Sequence, residues 1–165
     1  MTKVGITGHQ NIPMGKPQDD IIQGIKDCLS DLPTPIVGYT SLAIGADQLF
    51  AQAVLDVGGQ LMAIIPCPGY EETFRPENLP AFQDLLAQTV EHEVLDYPMY
   101  DPTDPKGSEP AFMAAGEEII KRSDILIAVW DGQPALGLGG TADAVAYAKS
   151  LGKPVVVIWP EGVVR

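Results

Sequence analysis

Three aspartates and one histidine stand where this chain has the means to do chemistry. His9 follows the apolar run KVGIT, Asp47 closes the stretch SLAIGADQ, Asp131 follows Trp130 in SDILIAVWDG, and Asp143 lies in GGTADAV. A histidine just past a strand end can donate to a ligand oxygen, serve as a general base, bind a metal or simply cap its loop. An aspartate in the first turn of a helix satisfies free N–H groups and the helix dipole with no ligand at all, or accepts from ribose-type hydroxyls as the acidic residue of dinucleotide sites does. For a hydrolytic step the candidate catalytic residues are therefore Asp47 or Asp143 as acid or base, with His9 as helper. Asp131 can turn its loop, meet a ligand or share a divalent cation with Asp47, but no metal site is assigned and Mg2+ is not expected.

Glycine supplies the rest of the chemistry. Gly132, Pro134, Gly137, Gly139 and Gly140 form a loop with almost no side-chain bulk. It leads from a continuous apolar run to a helix starting at Thr141, the candidate N-cap. A strand that empties through such a loop onto a helix N-terminus presents backbone N–H groups and a helix dipole to one ligand. Two other loops share this plan, one at Gly8, His9 and Gln10, the other at Ser41, Gly45, Ala46 and Asp47. Because two of the helix starts carry a carboxylate, glycine N–H groups are expected to meet any phosphate while Asp47 or Asp143 accepts from hydroxyls. Trp130 offers a stacking wall for a base or is part of the core. Arg75 and Lys106 are the cations of the two long loops, placed to reach over a phosphate or to stay solvated. GxSxG, HExxH and Walker patterns are absent from the sequence.

The elements that must position these groups alternate along the chain. Residues 3 to 7 read as a strand, and Lys16-Pro17 to about Leu32 as a helix with Ile21, Ile22, Ile25, Cys28, Leu29 and Leu32 at helical spacing. A strand from Ile36, a helix from about Ala46 to Val57 and the strand QLMAIIP follow. Beyond them lie a polar, proline-rich passage, a helix around 79 to 90 and a short strand, EVLDYP. Residues 98 to 110 hold four prolines, and a loop of that length is a lid, a binding loop or a mobile segment. A helix at 111 to 122, the strand from Asp124, the helix from Thr141 to Leu151 and the strand PVVVIWP complete the reading. Strand and helix alternation with right-handed crossovers gives a mostly parallel sheet with helices on both faces. The expected fold is Rossmann-like, α/β and doubly wound, with central order 3-2-1-5-6 and the short strand beside strand three. Its switch point, between strands one and five, gathers the three loops.

Composition sets outer limits. The 165 residues, 45% hydrophobic and 19% charged, suit one core, and residues 1 to 165 are read as a single domain. The N-terminus enters a strand pattern directly, which points to a soluble cytoplasmic protein. Cys28 and Cys67 lack disulfide or zinc spacing and read as buried thiols. A net charge of −12 repels nucleic acid and anionic membranes, so neither is expected as a partner.

TGH after strand one, SLAIGADQ after strand two and SDILIAVWDG…GGTADAVAYAKSLGKPVVVIWP resemble the SLOG superfamily, which groups DprA-type proteins and LOG-type phosphoribohydrolases on a Rossmann-like fold. The chain is most similar to stand-alone bacterial members with GHxN, SLAxGAD and WDGxPAxGxGGTAD patterns. The resemblance covers nearly the whole chain and implies binding of a nucleotide or nucleotide-derived ligand, of AMP, ADP-ribose or NAD type, through Gly8, His9, Ser41, Gly45, Ala46, Asp47, Gly139, Gly140 and Thr141. A homodimer is implied by resemblance alone. LOG-type enzymes resemble a PGGxGTxxE pattern with an arginine on the preceding helix; here Ala144 takes the glutamate position and AFMAAGEE offers no arginine. Those residues cleave the N-glycosidic bond in that family, which favours holding a ligand over cleaving it. DprA-type proteins bind single-stranded DNA through basic surfaces, and this acidic chain is expected not to.

Overall fold

The computed structural model describes residues 1–134 and 140–164. Six parallel strands form one sheet: β1 (Thr2–Gly8), β2 (Ile36–Thr40), β3 (Gln60–Ile65), β4 (Glu91–Val94), β5 (Ile125–Val129) and β6 (Val155–Ile158), in the order β4-β3-β2-β1-β5-β6. This is the expected α/β, Rossmann-like arrangement, with the short strand beside β3. The central strands are apolar throughout because both faces are covered: Leu126, Ile127, Ala128 and Val129 are all buried.

Helices α1 (Lys16–Ser30), α2 (Ala46–Asp56) and α3 (Leu79–Ala87) cover one face, where Val4, Ile6, Ile21, Ile25, Phe50 and Phe82 share a core. Helices α4 (Glu109–Arg122) and α5 (Thr141–Ser150) cover the other, with Ala115 and Ile119 on Met62 and Ile64, and Ala148 beside Leu126. α4 lies close on β1 because Gly5 has no side chain; a Cβ there would run into the Ser123 hydroxyl. The β4 edge carries Glu91, His92 and Glu93, with Arg122 paired to Glu93 at 2.8 Å. Charges of this kind discourage edge-to-edge association.

The structure moves several expected boundaries. β4 begins two residues before EVLDYP, since its ladder to β3 runs from Met62–Glu91 to Ile65–Val94. Thr141 is not the N-cap of α5. That position belongs to Gly140, whose carbonyl accepts the Ala144 N–H at 3.1 Å, and Thr141 is a buried first-turn residue. Cys67 is buried but Cys28 only partly so, and neither forms a disulfide. Among the described residues no helix is long and apolar enough to cross a membrane.

Candidate functional site

Beyond the C-terminal ends of β1, β2 and β3 lies a cavity of about 550 Å3, within the range of small-molecule sites. Its floor comes from the first two loops. Thr7 and Gly8 end β1 and Gln10 follows it; Ser41, Ala43, Ile44 and Asp47 follow β2. The opposite wall is one face of α4, where Glu109, Phe112, Met113, Gly116 and Ile119 recur at three- and four-residue intervals. A short 3-10 turn at Tyr70–Thr73, with Phe74, Arg75 and Asn78, closes the side, and Tyr100 and Pro105 complete it.

The second loop is under local strain. Leu42 has φ +58°, a left-handed conformation that costs a bulky residue free energy. Two hydrogen bonds hold it: Leu42 N–H donates to Thr40 Oγ1 at 3.0 Å, and Gln48 Nε2 donates to the Leu42 carbonyl at 3.2 Å. The turn sends Leu42 into the core and leaves Ser41, Ala43 and Ile44 on the cavity.

Asp47 occupies the first turn of α2 as expected, but it braces the preceding loop and not the helix. The N-cap is Gly45, and the carboxylate accepts the Ala43 N–H at 3.3 Å. Burial pushes the Asp47 carboxyl up to about 6, against hydrogen bonds from Ala43, the Thr40 hydroxyl and the Ser41 backbone that pull it down. The Thr40 hydroxyl thus donates to Asp47 while it accepts from Leu42. Tyr70 sits close by, its phenol held neutral by burial and by the Asp47 charge.

Gly8 and Gly45 make room for protein. A Cβ on Gly8 would strike the Ala46 side chain; one on Gly45, at φ +83°, would strike the Gln10 backbone and the His9 carbonyl. The Ala46 N–H donates to that carbonyl at 3.0 Å. Loop one is therefore clamped on the start of α2.

The other expected site residues gather elsewhere. Nε2 of His9 lies 3.2 Å from Asp131 Oδ1 and 3.3 Å from the Asp131 backbone nitrogen, and its ring meets Trp159 edge-on at 5.3 Å. Trp130 Nε1 donates to the Gln133 carbonyl, and Gln133 N–H donates to Asp131 Oδ1. His9, Trp130, Asp131, Gly140, Thr141 and Asp143 do not line the cavity; Gly139, with Gly137, lies outside the described residues. Among the described residues no group of three His, Cys, Asp or Glu is arranged to hold a metal.

Sequence reasoning missed the far wall. The passage after β3 reads as polar, yet Tyr70 packs edge-on against Phe74, Phe82 and Phe112, and Phe74 stacks on Phe82 at 4.5 Å. The aromatic spacing Tyr70–Phe74 was the available signal. The proline-rich loop is tied to this wall where Tyr100 N–H donates to the Pro68 carbonyl at 2.8 Å and the buried Ser108 side chain bonds the Cys67 thiol. Arg75 reaches the cavity; Lys106 does not.

No protein-family model matches the chain, and no curated protein matches it. Solved structures do. DNA processing protein A from Helicobacter pylori, described in its single-stranded DNA binding mode, aligns with a TM-score of 0.67 and 18% identity over 98% of this chain and 66% of its own. The Streptococcus pneumoniae DNA processing protein A aligns with a TM-score of 0.63 and 23% identity, over 98% of this chain and 52% of its own. A molybdenum cofactor binding protein from Rippkaea orientalis aligns with a TM-score of 0.55 and 16% identity, over 94% and 75%. The chain thus spans half to two thirds of the DNA processing proteins, and it shares their Rossmann-like fold. These findings correct one expectation. Nucleic acid is not excluded as a partner, since a protein of this fold is described with single-stranded DNA. A net charge sums the whole surface and does not decide what one local site accepts.

Proposed function

We propose that residues 1–165 act as one binding domain for a nucleotide or nucleotide-derived small molecule, held in the cavity over β1, β2 and β3. One observation carries this reading: Gly8, Gln10, Ser41 and Asp47 face Arg75 and an aromatic wall across a single cavity at the strand ends. Backbone and hydroxyl donors of the two loops would take polar ligand groups, Asp47 would accept from a hydroxyl or amine, and Arg75 would meet a phosphate. Its two free thiols are in keeping with a cytoplasmic protein. Calorimetric titration with AMP, ADP-ribose and NAD tests the reading; heat or a thermal shift with at least one is expected, and none with any of them, or binding of a single-stranded oligonucleotide alone, overturns it.

A second reading, hydrolysis of a nucleotide, draws on Asp47. A carboxyl that titrates at about 6 exchanges protons near neutrality, as a general acid or base must. Incubation with nucleoside monophosphates should then release free base or ribose phosphate, and its absence removes this reading while leaving binding intact.

A further inference from the structure

Among the described residues two glycines lie inside α-helices, Gly24 in α1 and Gly116 in α4. Glycine in a helix interior lowers stability relative to alanine, because it loses more backbone freedom on folding. Packing accounts for Gly24, where a Cβ would press on Ile158 at 3.2 Å. Among the described residues nothing accounts for Gly116. A Cβ there would find no atom within 4 Å, and the residue faces the cavity.

Its neighbours on that face are unusual for a helix in contact with a sheet. Phe112 and Met113, one turn before Gly116, stay 37% and 39% exposed, although both line the cavity. Phe74 and Tyr100 line the same cavity, and Tyr70, which packs on Phe74, also meets Phe112 edge-on at 6.1 Å. Apolar and aromatic surface therefore concentrates on the α4 side, while Gln10, Ser41 and Asp47 concentrate on the strand side. A ligand that matches both sides has a flat apolar ring at one end and hydrogen-bonding groups at the other.

We propose that the α4 face is the ring-binding wall of the cavity and that Gly116 sets the size of ring admitted, leaving room for a purine-sized bicyclic system. The inference rests on the nucleotide reading above and adds to it a specificity-determining position. A ring laid along Phe112 and Met113 passes over Gly116, where any side chain would occupy its space. A one-ring base needs less of that wall and is less affected.

The test compares AMP and UMP binding by calorimetry to the wild type, Gly116→Ala and Gly116→Leu, with thermal unfolding of each. Gly116→Ala should raise the melting temperature by about 1–4 °C, since it removes a helix-interior glycine with no steric conflict, and yet weaken AMP. Gly116→Leu should weaken AMP by about tenfold or more and UMP by less than about threefold. Opposite signs in stability and affinity separate a lost site from a damaged fold. AMP binding that survives Gly116→Leu unchanged overturns the ring assignment and leaves the nucleotide reading standing. Failure of the wild type to bind AMP and UMP overturns the ring assignment, and failure with ADP-ribose and NAD as well overturns the nucleotide reading.

Discussion

A single ring nitrogen of His9 joins the ends of two central strands: Nε2 stands 3.2 Å from Asp131 Oδ1 and 3.3 Å from the Asp131 backbone nitrogen. With a proton on Nε2 the ring donates to the carboxylate; without one it accepts the backbone N–H. His9 is 8% exposed and lies outside the cavity lining. His9→Ala should therefore cost about 1–3 kcal/mol in urea unfolding and change nucleotide affinity by less than about threefold. Unchanged stability with lost binding would return the site to the β1–β5 junction.

Asp47 imposes a pH dependence. Its folded-state value of about 6 lies above the ordinary 3.8, so the folded chain holds a proton that the unfolded chain releases between those values. The stabilisation is complete below about pH 4 and is lost as pH rises through 6, roughly 3 kcal/mol in all. Asp47→Asn has no such titration. The difference in unfolding free energy between variant and wild type should grow in favour of the variant from pH 4 to pH 7, and a difference independent of pH contradicts the assignment.

Gly15 and Gly45 cap α1 and α2 with nearly the same backbone, φ +87° and +83°. Of the two, Gly45 is also crowded, by the Gln10 and His9 backbone; a Cβ on Gly15 meets no atom of the described residues within 4 Å. Gly15→Ala should cost about 1 kcal/mol from the left-handed conformation alone, and Gly45→Ala about 2 kcal/mol or more. Equal losses in chemical denaturation would show that loop one is not clamped on α2.

Arg75 is the one cation among the described residues that line the cavity, against the carboxyl groups of Asp47 and Glu109. Arg75→Ala should weaken AMP by about fivefold and leave adenosine nearly unchanged, a charge-assisted contact at an exposed position contributing on the order of 1 kcal/mol. Equal loss for both ligands would place the phosphate elsewhere.

The architecture is legible in the chain because each element has its own period. β5 is a continuous apolar run, α1 repeats every three or four residues, and right-handed crossovers leave few strand orders. Half of the cavity is legible for the same reason, since Gly8, Gln10, Ser41 and Asp47 follow directly from strand ends. The other half is not. Phe112, Met113 and Ile119 have the spacing of a core-facing stripe, and periodicity does not distinguish a helix packed on protein from one bordering a cavity. Gly8 and Gly45 show the converse ambiguity. A missing Cβ makes room for a ligand or for a neighbouring backbone, and here the neighbours are Ala46 and Gln10.

A crystal structure of the chain grown with AMP tests the account most directly. Electron density for the nucleotide is predicted over β1, β2 and β3, its polar groups between Ser41, Asp47 and Arg75 and its base along Phe112 and Gly116. Density between His9, Asp131 and Gly140 instead, or an empty cavity at saturating AMP, contradicts it.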